Sequence, residues 1–240
     1  MRPENPIYTQ ILAAKKKGEK LLAVLLDPDK IDWENLAVLT AKINASPATH
    51  LLIGGSQVFS EKIDELITTL KKNCSLPVVL FPGNPSQISL HADGILFLSL
   101  LSGRNADFLI GHQTQAAPIL KASHLEVIPT GYLLIESGSE TAVARVSRTL
   151  PLPLRSPDTI LHTAQAGELL GKKLIYLEAG SGAQKPVPTG IVSLVSKNIG
   201  IPVIVGGGIK SKKGIDDAFA AGADMVVIGT AFENDLNFFD

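Results

Sequence analysis

The chain has 240 residues, 45% of them hydrophobic, and a formal net charge of -1, so a large core is available and neither a basic nor an acidic partner is implied; nucleic acid is not the expected ligand. One cysteine, Cys74, excludes an internal disulfide and a cysteine-rich zinc site and fits a reducing compartment. The first ten residues lack the apolar core of a signal peptide, and the longest apolar runs fall far short of the roughly 20 residues of a membrane helix, so a soluble cytoplasmic protein is expected.

In chain order, residues 7–17 read as a helix whose lysine-rich end is closed by Gly18. LLAVLL at Leu21–Leu26 is the continuous apolar run of a strand buried on both faces, and it ends in Asp27-Pro28-Asp29-Lys30. Helical spacing over 31–43 leads to the run His50–Ile53, which ends in Gly54-Gly55-Ser56, and 61–71 is helical again. The run 78–81 ends in Pro82-Gly83-Asn84; 94–98 follows so soon that any helix between them must be brief. A helix interrupted by Pro118 is expected over 104–122, a strand within 126–135, and a loop with a short helix over 136–157. Residues 159–170 form a helix stopped by Gly171, and the run 174–177 follows. After a helix beyond Pro188, the run 203–205 ends in Gly206-Gly207-Gly208-Ile209-Lys210. Ser211 caps a helix over 212–221, and Met225–Ile228 ends in Gly229-Thr230, where a last helix begins.

Eight apolar runs alternate with helical segments at an average spacing of about 30 residues, the size of a βα unit. Strands buried on both faces and separated by helices form a parallel sheet, and eight units in this length favour closure. The expectation is α/β: a single (β/α)8 barrel domain over 1–240 with an extra N-terminal helix.

Barrel sites are built where the strands end at their C-terminal rim, so those ends are a functional inventory. The first gives Asp27 and Asp29, the second Ser56, the sixth Glu178 and Ser181, the seventh Gly207 and Gly208, the eighth Gly229 and Thr230. Glycine turns present backbone N–H groups to anions, and three such turns on neighbouring strands point to a phosphate-bearing ligand. In KLIYLEAGSGA, at 173–183, a carboxylate precedes the turn. Phosphate repels carboxylate, which suggests that Glu178 works on a neighbouring hydroxyl; the competing reading is a strand-end cap or salt bridge. Asp27 with a hydroxyl ligand suits Mg2+, which keeps waters and is completed by substrate phosphates. The competing readings are that Asp27 or, more so, Asp29 caps the following helix, and that Ser56 is a turn residue.

Metalloprotease spacing, a GxSxG elbow and a P-loop are absent from the sequence, and the five histidines are scattered, His112 reading as structural. Phe59, Phe81, Phe97, Phe108 and Tyr132 fall on or near strand ends; most are expected in the core, a minority along an apolar substrate groove.

With LLDPDK, IGGSQ, GRNADFLIGHQ, YLEAGSGA, VGGGI and IGTA in this order, the chain resembles the geranylgeranylglyceryl phosphate synthases, (β/α)8-barrel prenyltransferases, over essentially its full length. The resemblance implies Mg2+-dependent joining of sn-glycerol 1-phosphate to a prenyl diphosphate, with release of diphosphate. It implies metal positions at Asp27 and Ser56 and a glycerol phosphate segment at Tyr176, Leu177, Glu178, Ala179, Gly180, Ser181 and Gly182. Further phosphate turns fall at Gly207-Gly208 and Gly229-Thr230, the base on Glu178, and Tyr176 is expected to help in orientation. A heptaprenyl-using branch has lysine two places before the motif aspartate; Leu25 stands here, which favours a geranylgeranyl donor. Phe108 is expected to limit the groove, and the protein to self-associate. A phosphosugar isomerase barrel and a catalytically silent phosphate-binding barrel are the rival readings.

Overall fold

The computed structural model describes residues 6–55, 58 and 62–240, so Ser56, expected at the metal position, lies outside the described residues. Eight parallel strands close into a barrel in sequence order, β1 pairing with β8: β1 Leu21–Leu26, β2 His50–Ile53, β3 Val78–Leu80, β4 Gly94–Leu100, β5 Glu126–Leu134, β6 Leu174–Glu178, β7 Val203–Gly206 and β8 Met225–Ile228. The connecting helices are α2 Leu36–Ala45, α3 Ile63–Asn73, α4 His112–Ala122, α5 Ala142–Ser147, α6 Pro157–Leu169, α7 Thr189–Ser196 and α8 Lys212–Ala220, with α1 Pro6–Lys17 before the barrel and α9 Thr230–Asn234 after it.

Because successive side chains point to opposite faces, each apolar strand feeds two cores. In β6, Leu174 and Tyr176 belong to the barrel interior while Ile175 and Leu177 pack with the helices outside; in β8, Met225 and Val227 point in while Val226 and Ile228 point out. The same alternation carries Glu178, two residues beyond Tyr176, onto the inner face at the C-terminal end.

The opposite mouth is closed by α1. Ile7 and Ile11 enter the interior cluster, and the Ile7 and Tyr8 N–H groups each donate to the Glu126 carboxylate at 2.8 Å. That carboxylate meets two orphan donors of the helix N-terminus, where negative charge is favoured. Lys15, in the last turn, pairs with Asp224 at 2.9 Å. Among the described residues, the barrel mouth left open is the C-terminal one.

The connection between β3 and β4 is as brief as the sequence requires: a 3-10 turn, Pro85–Gln87. β3 and β4 pair only through Val79–Gly94 and Leu80–Ile95, whereas β4 follows β5 from Gly94–Glu126 to Leu100–Tyr132. The wall therefore opens beside the upper half of β4. Two local expectations are corrected. The Asp27 carboxylate, not Asp29, caps the turn after β1, accepting from the Asp29 N–H at 3.1 Å; Pro28 starts that turn and places Asp29 within it, too far along to cap it. Pro118 does not interrupt its helix: α4 runs through it, preceded by a π-type turn at Asp107–Gly111. Ser211 does cap α8, accepting from Gly214 at 3.1 Å. Among the described residues, no helix is long and apolar enough to cross a membrane.

Candidate active site

Glu178 ends β6 with 5% exposure, facing inward. Its Oε1 accepts the Gly180 N–H at 2.6 Å, across the turn that follows the strand. Burial pushes the carboxyl up to about 7, outweighing the opposing help of the Gly180 N–H and the Tyr176 hydroxyl. A carboxyl poised there holds a proton or releases it near neutrality, as general-base work requires. Tyr176, one inward position below, is fully buried; its hydroxyl lies near the carboxyl and, among the described residues, makes no well-formed hydrogen bond. Tyr176, Tyr132 and Phe81 form an aromatic layer under the acid, with centroids 5.3 Å (Phe81–Tyr176), 5.4 Å (Tyr132–Tyr176) and 6.0 Å (Phe81–Tyr132) apart. Burial first, and then the Glu178 charge, raise both tyrosine pKa values, so both hydroxyls stay protonated.

Of the expected glycerol phosphate segment, Leu177 and Ala179 send their side chains into the outer core. The Ala179 N–H is spent on the Gly206 carbonyl at 3.0 Å and that of Gly180 on Glu178. Beyond them the backbone opens. Among the described residues, no intramolecular acceptor meets the N–H groups of Ser181, Gly182, Gly207, Gly208, Gly229 or Thr230. Gly207 and Gly208 hold φ of +78° and +68°, and a Cβ on Gly207 would lie 2.1 Å from Glu178 Oε1. Side chains are excluded where the seventh turn meets the sixth, leaving bare donors beside the acid, as an anion nest requires. Gly229 and Thr230 continue the rim, a Cβ on Gly229 falling 3.5 Å from Leu25. Thr141, unremarked in the sequence, packs its methyl over Gly180 from the start of α5.

Asp27 stands on the same rim. Register pairing links β6 to β7, β7 to β8 and β8 to β1, so Glu178 and Asp27 share one mouth. Lys30 Nζ lies 3.2 Å from Asp27 Oδ2 and 3.3 Å from Glu233 Oε2, and the Asp27 N–H donates to Glu233 Oε1 at 3.0 Å. Partial burial alone would lower the Lys30 pKa; the Glu233 and Asp27 carboxylates outweigh it and the net shift is upward. Among the described residues no three or more His, Cys, Asp and Glu side chains gather into one metal-holding cluster. Two hard carboxylates that already converge on a cation fit Mg2+ nonetheless, since it keeps waters and shares phosphate oxygens. Sequence reading passed over Lys30 and Glu233: Glu233 looks like an ordinary first-turn acid of α9, and only the closed barrel brings it to β1.

From Gly55, which neighbours the Asp27 carboxylate, an apolar groove runs through the opening beside β4 toward α4. Phe81, Phe97, Phe108 and Tyr132 all line it, with Leu98, Ala116 and Val146. Four of the five aromatics noted in the sequence thus face the groove, and Phe59 lies outside the described residues.

A closed barrel with a buried acid, free backbone donors and an apolar groove at one rim defines a barrel enzyme for an anionic, partly apolar substrate. The chain belongs to the PcrB family, whose model matches residues 14–239. It is 67% identical to the geranylgeranylglyceryl phosphate synthase of Flavobacterium johnsoniae, over 98% of this chain and 96% of that one. It is 49% identical to the enzyme of the same name from Spirosoma linguale, over 92% and 89%. A solved (S)-3-O-geranylgeranylglyceryl phosphate synthase from Thermoplasma acidophilum, in complex with substrate sn-glycerol-1-phosphate, superposes with a TM-score of 0.90 at 34% identity, covering 97% of this chain and 94% of that one.

Proposed function

We infer that the protein joins sn-glycerol 1-phosphate to a prenyl diphosphate, forming an ether and releasing diphosphate. The observation that carries this reading is the buried Glu178 carboxyl, held near neutral pKa beside a rim of free N–H groups and over an aromatic layer whose Phe81 and Tyr132 line an apolar groove. The relatives' names and the glycerol phosphate complex of the Thermoplasma structure support the choice of substrates.

The free donors of the sixth, seventh and eighth turns hold the phosphate, so that the terminal hydroxyl of the glycerol reaches Glu178. Glu178 accepts that proton as the oxygen bonds to the allylic carbon, and Tyr176 and Tyr132 keep the acid dry from below. The prenyl tail lies in the groove past Phe81 and Phe108, its diphosphate head near Asp27. Asp27 and Glu233, with the Ser56 position implied by the family, would hold Mg2+; the bound ion would neutralise the diphosphate as a leaving group. Leu25 beside Gly229 supports a geranylgeranyl rather than a heptaprenyl donor, on the family resemblance.

The test is incubation with sn-glycerol 1-phosphate or its 3-phosphate enantiomer, Mg2+ and donors of graded chain length, followed by mass spectrometry. Ether product from the 1-phosphate and a C20 donor is expected. Donor left unconsumed in every mixture contradicts the reading and leaves a silent phosphate-binding barrel.

A further inference from the structure

We propose that Lys30 is a diphosphate-binding residue that occupies the metal position until a divalent cation arrives, and that Glu233 is the residue that positions it. The inference rests on the prenyl-transfer reading and assigns the diphosphate side of that site.

Three contacts carry it. The Lys30 ammonium bridges Asp27 at 3.2 Å and Glu233 at 3.3 Å, so it neutralises two carboxylates that would otherwise repel each other. Glu233 is on α9, yet its carboxylate serves the end of β1: one oxygen takes the Asp27 N–H at 3.0 Å and the other takes Lys30. The exposures differ in a telling way, with the Asp27 and Glu233 side chains at 19% and 12% and Lys30 at 47%. The acids are fixed and sheltered, while the cation is the member free to swing on its flexible stem.

Gly55 adjoins the Asp27 carboxylate and also lines the groove, so the head group of a groove-bound prenyl diphosphate arrives beside Lys30. A divalent cation shared by the two carboxylates leaves Lys30 without its partners. The ammonium then turns to the nearest anion, a diphosphate oxygen. The acid pair stays neutralised before and after substrate binding, and the lysine adds a positive charge where the leaving group departs.

Two variants, Lys30→Gln and Lys30→Arg, test this through Mn2+ binding to the enzyme alone, followed by electron paramagnetic resonance, and through steady-state kinetics. Lys30→Gln removes the competing cation, so it is expected to bind Mn2+ several-fold tighter than wild type. It is also expected to raise KM for the prenyl diphosphate by about tenfold or more, the scale of a lost charge-assisted contact, with KM for glycerol phosphate unchanged. Lys30→Arg keeps the charge and returns both values toward wild type, whereas Glu233→Gln weakens Mn2+ binding by removing one of the two acids. Unchanged or weaker Mn2+ binding in Lys30→Gln, or an unchanged donor KM in an active enzyme, overturns the proposal. Absence of ether product in wild type overturns the prenyl-transfer reading instead, and the Mn2+ titration still judges the lysine.

Discussion

Glu178 and Gly207 stand so close that a methyl group on Gly207 would lie 2.1 Å from Oε1 of the acid. The glycine therefore sets the position of the carboxyl and keeps the seventh turn bare. Gly207→Ala must displace the carboxyl or the turn and also strains a φ of +78°, so it is expected to destabilise the fold by about 2–4 kcal/mol and raise KM for glycerol phosphate. Gly182→Ala is the control. At φ +75° with open space around it, that change carries the backbone strain alone, about 1–2 kcal/mol. Urea denaturation of both variants separates the two costs, and equal losses would remove the Gly207 contact from the account.

Two buried groups give stability opposite pH slopes. The Glu178 carboxyl is raised from 4.5 to about 7 by burial, so the native state holds a proton that the unfolded state has released between those values. Its favourable contribution is complete below about pH 4.5 and is lost as pH rises through 7. Glu178→Gln abolishes this slope and should gain on wild type at pH 8, by at most on the order of 3 kcal/mol, with little gain near pH 4.5. Denaturation midpoints across that range check it; a constant difference would contradict it.

His50 runs the other way. Burial lowers its pKa from 6.5 to about 4, and among the described residues Nε2 has no hydrogen-bond partner. The unfolded chain takes up a proton that the native state refuses, so stability is lost as pH falls from 6.5 toward 4. His50→Leu is expected to flatten the loss over that window while leaving the Glu178 slope in place. The same midpoint series reads it, and an unaltered acid limb would contradict it.

Groove length should be adjustable from its α4 side. The Phe108 ring packs edge-on against His112 at 4.7 Å and lines the groove, so Phe108→Ala lengthens it and shifts product toward longer prenyl chains. Ala116 lines the groove further along, and Ala116→Phe should favour shorter donors. Mass spectrometry of products from mixed donors reads both changes; an unshifted product distribution in both variants would place the tail elsewhere.

At the closed end, Glu126 meets the N–H groups of Ile7 and Tyr8. Glu126→Ala leaves both donors unmet and is expected to cost about 2–4 kcal/mol with little change in substrate KM. Thermal unfolding and kinetics together test that separation.

The strands were legible because a barrel strand is apolar on both faces and has a glycine or acid where it reaches the rim. That same two-sided apolarity hid which side chains point inward, so Tyr176 and Leu177 look alike in sequence although only Tyr176 faces the site. The rim glycines of the sixth to eighth strands could be read as anion turns. That the Ala179 and Gly180 N–H groups are already spent could not, since their acceptors depend on closure. The groove was foreseen only as scattered aromatics, because it arises where β3 stops short of β4. Lys30 and Glu233 are separated by 203 positions, and no local pattern announces a pair formed only when β8 returns beside β1.

The most direct measurement is the pH dependence of kcat/KM for glycerol phosphate in wild type and Glu178→Gln. A wild-type rate that rises through a midpoint near 7, with a variant that is 10²–10⁴-fold slower and lacks that limb, is the predicted result. Turnover near the wild-type rate in Glu178→Gln, with the limb intact, would contradict the assignment of the base.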